Sequence, residues 1–233
     1  MIDFHTHLLP CMDDGSKSVD ESLAMLEALR GQGVTKAAAT PHFYANDESV
    51  DDFIARRDAS FGMLKARLPD TSWILPGAEV RYYEGISRLP DLKKLRIVNT
   101  RFVLLEMPFS QWTEYSVREI MDIAAQGKIT PVLAHIDRYL PMLKKTVLPR
   151  LLNSGVLIQA NVSFFTGFFT RSQALHMVRT NQIHFIGSDC HNLTDRPPDI
   201  SKAISRMEKK FGDTFVPDYI NYVNEIFQQN QIL

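Results

Sequence analysis

A mostly parallel α/β fold is predicted for this 233-residue chain by three observations. Short β-rich runs alternate with stretches of helical length and periodicity. Seven such units follow one another with no Gly- or Ser-rich linker, no low-complexity tract and no internal repeat, so residues 1–233 read as a single domain. The residues able to do chemistry recur near the C-terminal ends of the strand candidates, where parallel barrels place their active sites.

The strand candidates are IDFHTHLL (2–9), TKAAATPHF (35–43), WILPGAEVRYY (73–83), FVLLEMPF (102–109), TPVLAHIDRY (130–139), VLIQANVSFF (156–165) and HFIGSDCH (184–191). After the first, Ser18 with Glu21 three residues on predicts a capped helix, with Leu23, Leu26, Ala28 and Leu29 on its apolar face. Further helices are predicted over 49–67, 115–126, 146–153, 171–181, 199–211 and about 217–229. In the last, Phe215, Tyr219, Tyr222, Ile226 and Phe227 supply a face to pack on the protein's own barrel, or on a second copy. Residues 82–101 break the rhythm; they are long enough for a small hairpin or helix, and to cover a site beside Glu79 or to be a plain insertion.

Bulk properties exclude several classes. With 45% hydrophobic and 23% charged residues and a net charge of −1, the chain has a globular composition without the basic surface expected of a nucleic-acid binder. No apolar run approaches the roughly 18 residues needed to cross a bilayer, and the N-terminus lacks a signal-peptide pattern. Cys11 and Cys190 are too few for a disulfide framework, which fits a reducing cytoplasm.

The candidate site begins with His5 and His7. Two residues apart on a strand they share a face, with Cα atoms about 6.6 Å apart at ~3.3 Å per residue. Two imidazoles at that spacing can reach one cation at roughly 2.1 Å per bond. His42, Glu79, Glu106, His135 with Asp137, and Asp189 with His191 fall late in or at the ends of later strands. Any one of them alone reads as an ordinary core or rim residue; together they point to a metal centre. His176, within a helix, and His184, at the opposite end of its strand, stay outside the set.

The motifs FHTHLLPCMDDGS, TPHF, GAEV, LLEMP, AHIDRY and GSDCHNLTDRPP resemble the polymerase-and-histidinol-phosphatase (PHP) superfamily. Within it they resemble the bacterial metal-dependent protein tyrosine phosphatases linked to capsule and exopolysaccharide synthesis. The motifs run in order from residue 2 to 198. His-x-His alone is shared by many metallohydrolases, whereas DDGS with AHIDRY and SDCHNLxxRPP is much more specific to the tyrosine phosphatase branch.

The resemblance implies a distorted seven-stranded barrel carrying three divalent ions. It implies that His5, His7, Glu79 and Asp189 hold one ion, Glu106 and His135 a second with Glu79 bridging, and Asp14, His42 and His191 a third. Asp13 is left to support the loop. Arg138 and Arg196 match the residues that grip the phosphoryl oxygens. Clustered divalent ions neutralise a dianionic ester and lower the pKa of bound water, so the expected reaction is hydrolysis of phosphotyrosine by a metal-activated hydroxide. The mixed imidazole and carboxylate set suits manganese, iron or zinc better than calcium or copper(I) but does not choose among the three; manganese is the expectation. The implied substrate is a phosphotyrosine protein, the tail of a tyrosine kinase of polysaccharide synthesis, with Tyr82, Tyr83, Phe109, Trp112, Phe164, Phe165, Phe168 and Phe169 available either to flank it or to pack in the core. Some relatives assemble into oligomers, which leaves self-association open.

Three alternatives stand beside this reading. The same site could serve histidinol phosphate, another small phosphomonoester or a nucleic-acid end. A non-catalytic, metal-stabilised module could bind phosphotyrosine or a kinase. Finally, Cys190 and Arg196 show the Cys-x5-Arg spacing of thiolate phosphatases, but the intervening HNLTD has no glycine to wrap a phosphate, and Cys190 should point away from its neighbours into packing.

Overall fold

The computed structural model describes residues 1–232. Nine short strands make two parallel sheets. The first holds β1 (Ile2–Thr6), β2 (Lys36–Ala39) and β4 (Ile74–Pro76), in the order β1-β2-β4. The second holds β3 (His42–Phe43), β5 (Glu79–Arg81), β6 (Phe102–Glu106), β7 (Thr130–Leu133), β8 (Leu157–Asn161) and β9 (Phe185–Gly187), in the order β3-β5-β6-β7-β8-β9.

The strand segments expected at 35–43 and 73–83 are each broken in two. Pro41, which has no N–H to give a ladder, separates β2 from β3. Gly77 separates β4 from β5 and lies so close to Ile97 that a Cβ on it would come within 2.8 Å of Ile97 Cγ1. The chain still runs on across both breaks: Gly77 N donates to Ala39 O (2.8 Å) and Glu79 N to Pro41 O (2.9 Å).

The other edge also closes on itself. Asp189 N donates to His5 O (2.8 Å) and His7 N to Cys190 O (2.9 Å), with a parallel bridge between Thr6 and Cys190. The sheet is therefore curled, with its first and last strands meeting beyond the end of β9. Phe4 stacks on Phe185 (3.8 Å between centroids) and meets Phe102 edge-on (5.3 Å). Since β1 and β6 are not ladder neighbours, that contact crosses the inside of the curl. The strand residues are almost wholly buried, as parallel strands covered on both faces must be.

Helices α1 (Val19–Gly31), α2 (Val50–Lys65), α3 (Glu114–Ala125), α4 (Val147–Asn153), α5 (Val162–Thr166), α6 (Arg171–Arg179), α7 (Ile200–Phe211) and α8 (Phe215–Gln229) complete the fold. Ser18 caps α1 by accepting from Glu21 N (3.1 Å), while the Glu21 carboxylate reaches Lys17 N (2.8 Å) rather than the cap residue's own N–H. Ser49 and Thr113 cap α2 and α3 in the same way.

Helix α8 packs on the protein's own core, burying Val216, Tyr219, Val223 and Phe227 and placing Phe227 5.8 Å from Phe102. Helix α5 replaces the second half of the strand expected over 156–165: the chain leaves the sheet at Asn161, and Phe164 and Phe165 are buried from a helix instead. The strand expected over 130–139 likewise stops at Leu133, because the backbone turns left-handed at His135 into a single 3-10 turn over Ile136–Arg138.

Residues 82–101 hold two 3-10 turns, Ile86–Arg88 and Leu92–Leu95. They are anchored at the flank of the sheet. Buried Glu119 of α3 accepts from Tyr82 Oη (2.8 Å), Gly85 N (3.0 Å) and Ser87 Oγ (2.9 Å), and Ile86, Leu92, Leu95 and Ile97 are buried.

His184, just before β9, accepts from Ile158 N through Nδ1 (3.0 Å) and is buried, which lowers its pKa to about 4. The unfolded chain therefore takes up that proton first as pH drops below 6.5, and stability declines from 6.5 down through 4. Relative to His184→Gln, the wild type should lose on the order of 3 kcal/mol across that window, read by denaturant unfolding at stepped pH. A constant difference between the two proteins would contradict it.

Candidate metal centre

The sheet delivers the candidate ligands to one place. His5 lies near the end of β1 and His7 follows it; Glu106 ends β6; His135 follows β7; Asp189 and His191 follow β9. His42 and Glu79 open β3 and β5, just past the two breaks, and are register partners. The breaks thus carry both residues across to the rim. Asp14 reaches in from the loop after β1.

Glu79 is the hub. Its Oε2 lies 3.1 Å from His5 Nε2, 3.3 Å from His7 Nε2 and 3.0 Å from His42 Nδ1, while its Oε1 lies 3.0 Å from His135 Nε2. His135 Nε2 also lies 3.6 Å from Glu106 Oε1. Asp189 Oδ1 lies 3.6 Å from His5 Nε2 and 3.5 Å from His7 Nε2. Asp14 Oδ1 lies 3.3 Å from His191 Nε2 and 3.6 Å from His42 Nε2.

Three groups have donor atoms all within 4.8 Å of one another: His5, His7 and Asp189; His7, Asp14, His42 and His191; and His42, Glu79 and Glu106. These groups hold eight of the nine expected ligands, with His7 and His42 each in two groups, and His135 joins them through Glu79 Oε1 and Glu106 Oε1.

The donors fit cations better than they fit each other. His5 Nε2 and His7 Nε2 lie 3.0 Å apart, and each is within 3.6 Å of Glu79 Oε2 and Asp189 Oδ1, so four donor atoms of two histidines and two carboxylates converge on one place. Glu79 Oε2, His42 Nδ1 and His135 Nδ1 are buried without a hydrogen-bond partner, although the first two lie 3.0 Å apart. A buried carboxylate oxygen with three imidazole nitrogens around it and no hydrogen bond is what a metal position leaves behind.

A supporting layer holds the donors. Asp13 Oδ2 accepts from His7 Nδ1 (2.7 Å) and His42 N (2.9 Å), and its Oδ1 from Gly15 N (2.9 Å), so Asp13 braces the loop while orienting His7. Gln159 Oε1 accepts from His135 N (2.6 Å) and lies 3.4 Å from His5 Nδ1, and Gln159 Nε2 donates to Asn161 Oδ1 (2.9 Å). Asn161 Nδ2 in turn donates to Asp189 Oδ2 (2.8 Å). Asp137, in the same motif as His135, accepts from Asn161 N (3.0 Å) from outside the cluster.

His135 (φ 30°) and Asp189 (φ 54°) sit in left-handed backbone that non-glycine residues rarely adopt, which aims both side chains inward at a cost in strain. Gly187 is required by the crowding: a Cβ there would stand 2.6 Å from His5 Cβ.

Electrostatics bind the arrangement together. Burial works against the charges of Glu79 and Asp189, yet the imidazoles of His5 and its neighbours hold both carboxyls well below the usual range. In return, against the same burial, Asp13 lifts His7 well above the ordinary imidazole value, and Glu79 with Asp189 lifts His5. Burial, with His7 nearby, lowers His191 to about 4.

Arg138 Nη2 and Arg196 Nη2 both meet Asp189 Oδ2 at 2.6 Å, so that Asp189 faces the imidazoles with one oxygen and the arginines with the other. Arg196 Nη1 also lies 2.9 Å from His191 Nε2. A third arginine went unread in the sequence: Arg81 Nη1 donates to Glu106 Oε2 (2.8 Å). Its signal was its place two residues after Glu79 on the same strand face. Gln159 and Asn161, spaced alike at the end of β8, carried the same signal.

The aromatic candidates divide. Trp112, Phe164 and Phe165 are buried, and Tyr82 is tied to Glu119. Phe168 and Phe169 protrude between α5 and α6, whereas Phe109 lies over His135 (6.0 Å, 18° between planes).

The thiolate route is closed by geometry. Cys190 is fully buried, and burial together with Asp3 pushes its thiol well above the ordinary range. The backbone N–H groups of Thr194, Asp195 and Arg196 all donate to Asn192 Oδ1, so the loop has none of these to wrap around a phosphate.

A curled parallel sheet with a histidine–carboxylate cluster and arginines at its rim defines a metallohydrolase-like α/β protein. Over residues 1–232 the chain matches the capsular polysaccharide synthesis family CpsB/CapC, and it belongs to that family. It is 31% identical to the tyrosine-protein phosphatase YwqE of Bacillus subtilis across its whole length and 93% of that protein. It is equally identical to the tyrosine-protein phosphatase CpsB of Streptococcus agalactiae, over 91% of each chain. Among solved structures, one from crystals of YwqE of Bacillus subtilis and CpsB of Streptococcus pneumoniae, described as unique metal-dependent tyrosine phosphatases, superposes with a TM-score of 0.80 at 29% identity. The match covers 100% of this chain and 96% of the other. No helix among the described residues is long and apolar enough to cross a membrane.

Two outcomes are expected. Asp13→Asn should fold normally by circular dichroism but weaken metal affinity about 10- to 100-fold, measured by titration of chelated protein. Cys190→Ser should keep turnover within a few fold of wild type, and loss of all activity in a folded variant would reopen the thiolate route.

Proposed function

We propose that this chain is a metal-dependent phosphomonoesterase that hydrolyses phosphotyrosine on proteins. The observation that carries it is the cluster around Glu79 and Asp189 with Arg138 and Arg196 at its edge. The family membership and the named activity of the relatives support the same reading.

In it, His5, His7, Glu79 and Asp189 would hold one divalent ion, Glu106 and His135 with Glu79 a second, and Asp14, His42 and His191 a third. Oxygen and nitrogen donors without thiolate suit manganese, iron or zinc alike; manganese is our expectation. Such ions supply charge neutralisation for a dianionic ester and acidify water towards neutral pH. Arg138 and Arg196 present planar donor forks to the phosphoryl oxygens, and Asp189 keeps both forks at the mouth of the cluster. Arg81 keeps Glu106 in place. Tyrosine, with a pKa of about 10, leaves more readily than a serine alkoxide and needs less help from an acid at the site.

We read residues 1–233 as one PHP-type domain whose curled sheet is a distorted seven-stranded barrel. It would work in the cytoplasm on the phosphorylated tail of a tyrosine kinase serving capsule or exopolysaccharide synthesis.

The test is turnover on phosphotyrosine peptide, phosphoserine peptide and histidinol phosphate by chelated protein, before and after adding manganese, iron or zinc. Activity should vanish on chelation, return with metal and favour phosphotyrosine. Arg196→Ala should lower kcat/KM on the order of 100-fold. Metal-restored turnover that favours histidinol phosphate would keep the site and overturn the substrate; metal-loaded protein with no turnover would overturn the enzyme.

A further inference from the structure

Two aromatic rings border the cluster without being needed to build it. Phe109, in the loop after β6, is 50% exposed and lies over the His135 imidazole. It is flanked by two guanidiniums, Arg81 at 5.6 Å and Arg138 at 5.9 Å from its centroid. Tyr44, just after β3, is 38% exposed and stacks on His42 (5.4 Å, 29° between planes). His135 and His42 contact different oxygens of Glu79, so each ring packs on an imidazole that touches that carboxylate. A half-exposed phenylalanine held between two arginines at a polar rim leaves an apolar face unused by the fold.

We propose that Phe109 and Tyr44 are the specificity-determining walls of the site, selecting aryl over alkyl phosphates by stacking on the ring that carries the phosphoryl group. The proposal rests on the phosphatase reading and adds the source of its selectivity. Arg138 links selectivity to catalysis: a guanidinium assigned to the phosphoryl oxygens also lies beside Phe109. In phosphotyrosine the ring is joined directly to the ester oxygen, so a phosphoryl group gripped by Arg138 brings its ring alongside Phe109. In phosphoserine that volume receives one methylene and then the peptide backbone. The polar amides would lie against an aromatic face that offers them no hydrogen bond. Tyr44, stacked on His42, presents the second ring.

The experiment compares wild type with Phe109→Leu, Phe109→Tyr, Tyr44→Leu and Tyr44→Phe, all loaded with manganese. The first readout is the ratio of kcat/KM for a phosphotyrosine peptide over the matching phosphoserine peptide. Each leucine variant should reduce this ratio about tenfold, mostly through KM, and the ring-retaining variants should keep it. The second readout is calorimetric affinity for phenylphosphonate against methylphosphonate, which needs no turnover. Wild type should prefer phenylphosphonate, and Phe109→Leu should erase most of that preference. Unchanged ratios, or equal losses on both substrates, would overturn the walls while leaving the phosphatase intact. Absent turnover with a Phe109-dependent preference for phenylphosphonate would overturn the phosphatase reading and uphold the walls. Equal affinity of wild type for both phosphonates would overturn the walls.

Discussion

The rest of the site depends on one buried carboxylate. Glu79 is almost wholly shielded from water, and both its oxygens face imidazoles. An isolated carboxylate at that depth would be neutralised by its surroundings. Here His5, His42 and His135 approach closely enough to keep it charged, and Asp189 completes the balance around His5 and His7. Removing any member leaves the others as uncompensated buried charge. The arrangement therefore demands cations, whether protons or metal ions, where the Nε2 atoms of His5 and His7 converge on Glu79 and Asp189.

Backbone geometry serves that centre. Both breaks in the sheet, at Pro41 and at Gly77, fall immediately before the His42–Glu79 pair, and the left-handed residues His135 and Asp189 are themselves members of the cluster. Regular strands would have carried these side chains onward in simple alternation. Irregularity at the strand ends instead folds the donors inward, and the scaffold compensates with backbone bonds such as Asp189 N to His5 O and side-chain bonds such as Gln159 to His135 N. The same logic explains Cys190. It follows the left-handed Asp189 and is turned into the core, where a thiolate would be costly.

Much of this was legible in the chain itself. The i, i+2 spacing of His5 with His7 and of Asp189 with His191 announces a shared face, and DDGS with AHIDRY and GSDCH ties these pairs to a phosphatase-like pattern. Alternation of strand and helix gave the parallel α/β class, because period-2 and period-3.6 patterns are local properties. Helix boundaries were close where a capping residue marks them, as at Ser18, Ser49 and Thr113. The strand expected over 156–165 failed at Asn161 because VSFF is equally apolar as strand or helix, and a short apolar run does not declare its period.

The sequence by itself determined the class of fold, the chemical types gathered at the strand ends and the unsuitability of HNLTD as a phosphate-wrapping loop. Tertiary structure alone decided which donors share a position, since His7 and His42 each join two groups only once β1, β3 and β5 are brought together. It also decided that Arg81 joins the rim, and that Phe109 stays open beside Arg138 while Trp112 is buried. The reason is physical. Residue type and periodicity are written along the chain, whereas distance between strand ends arises only when the sheet curls and its first and last strands meet.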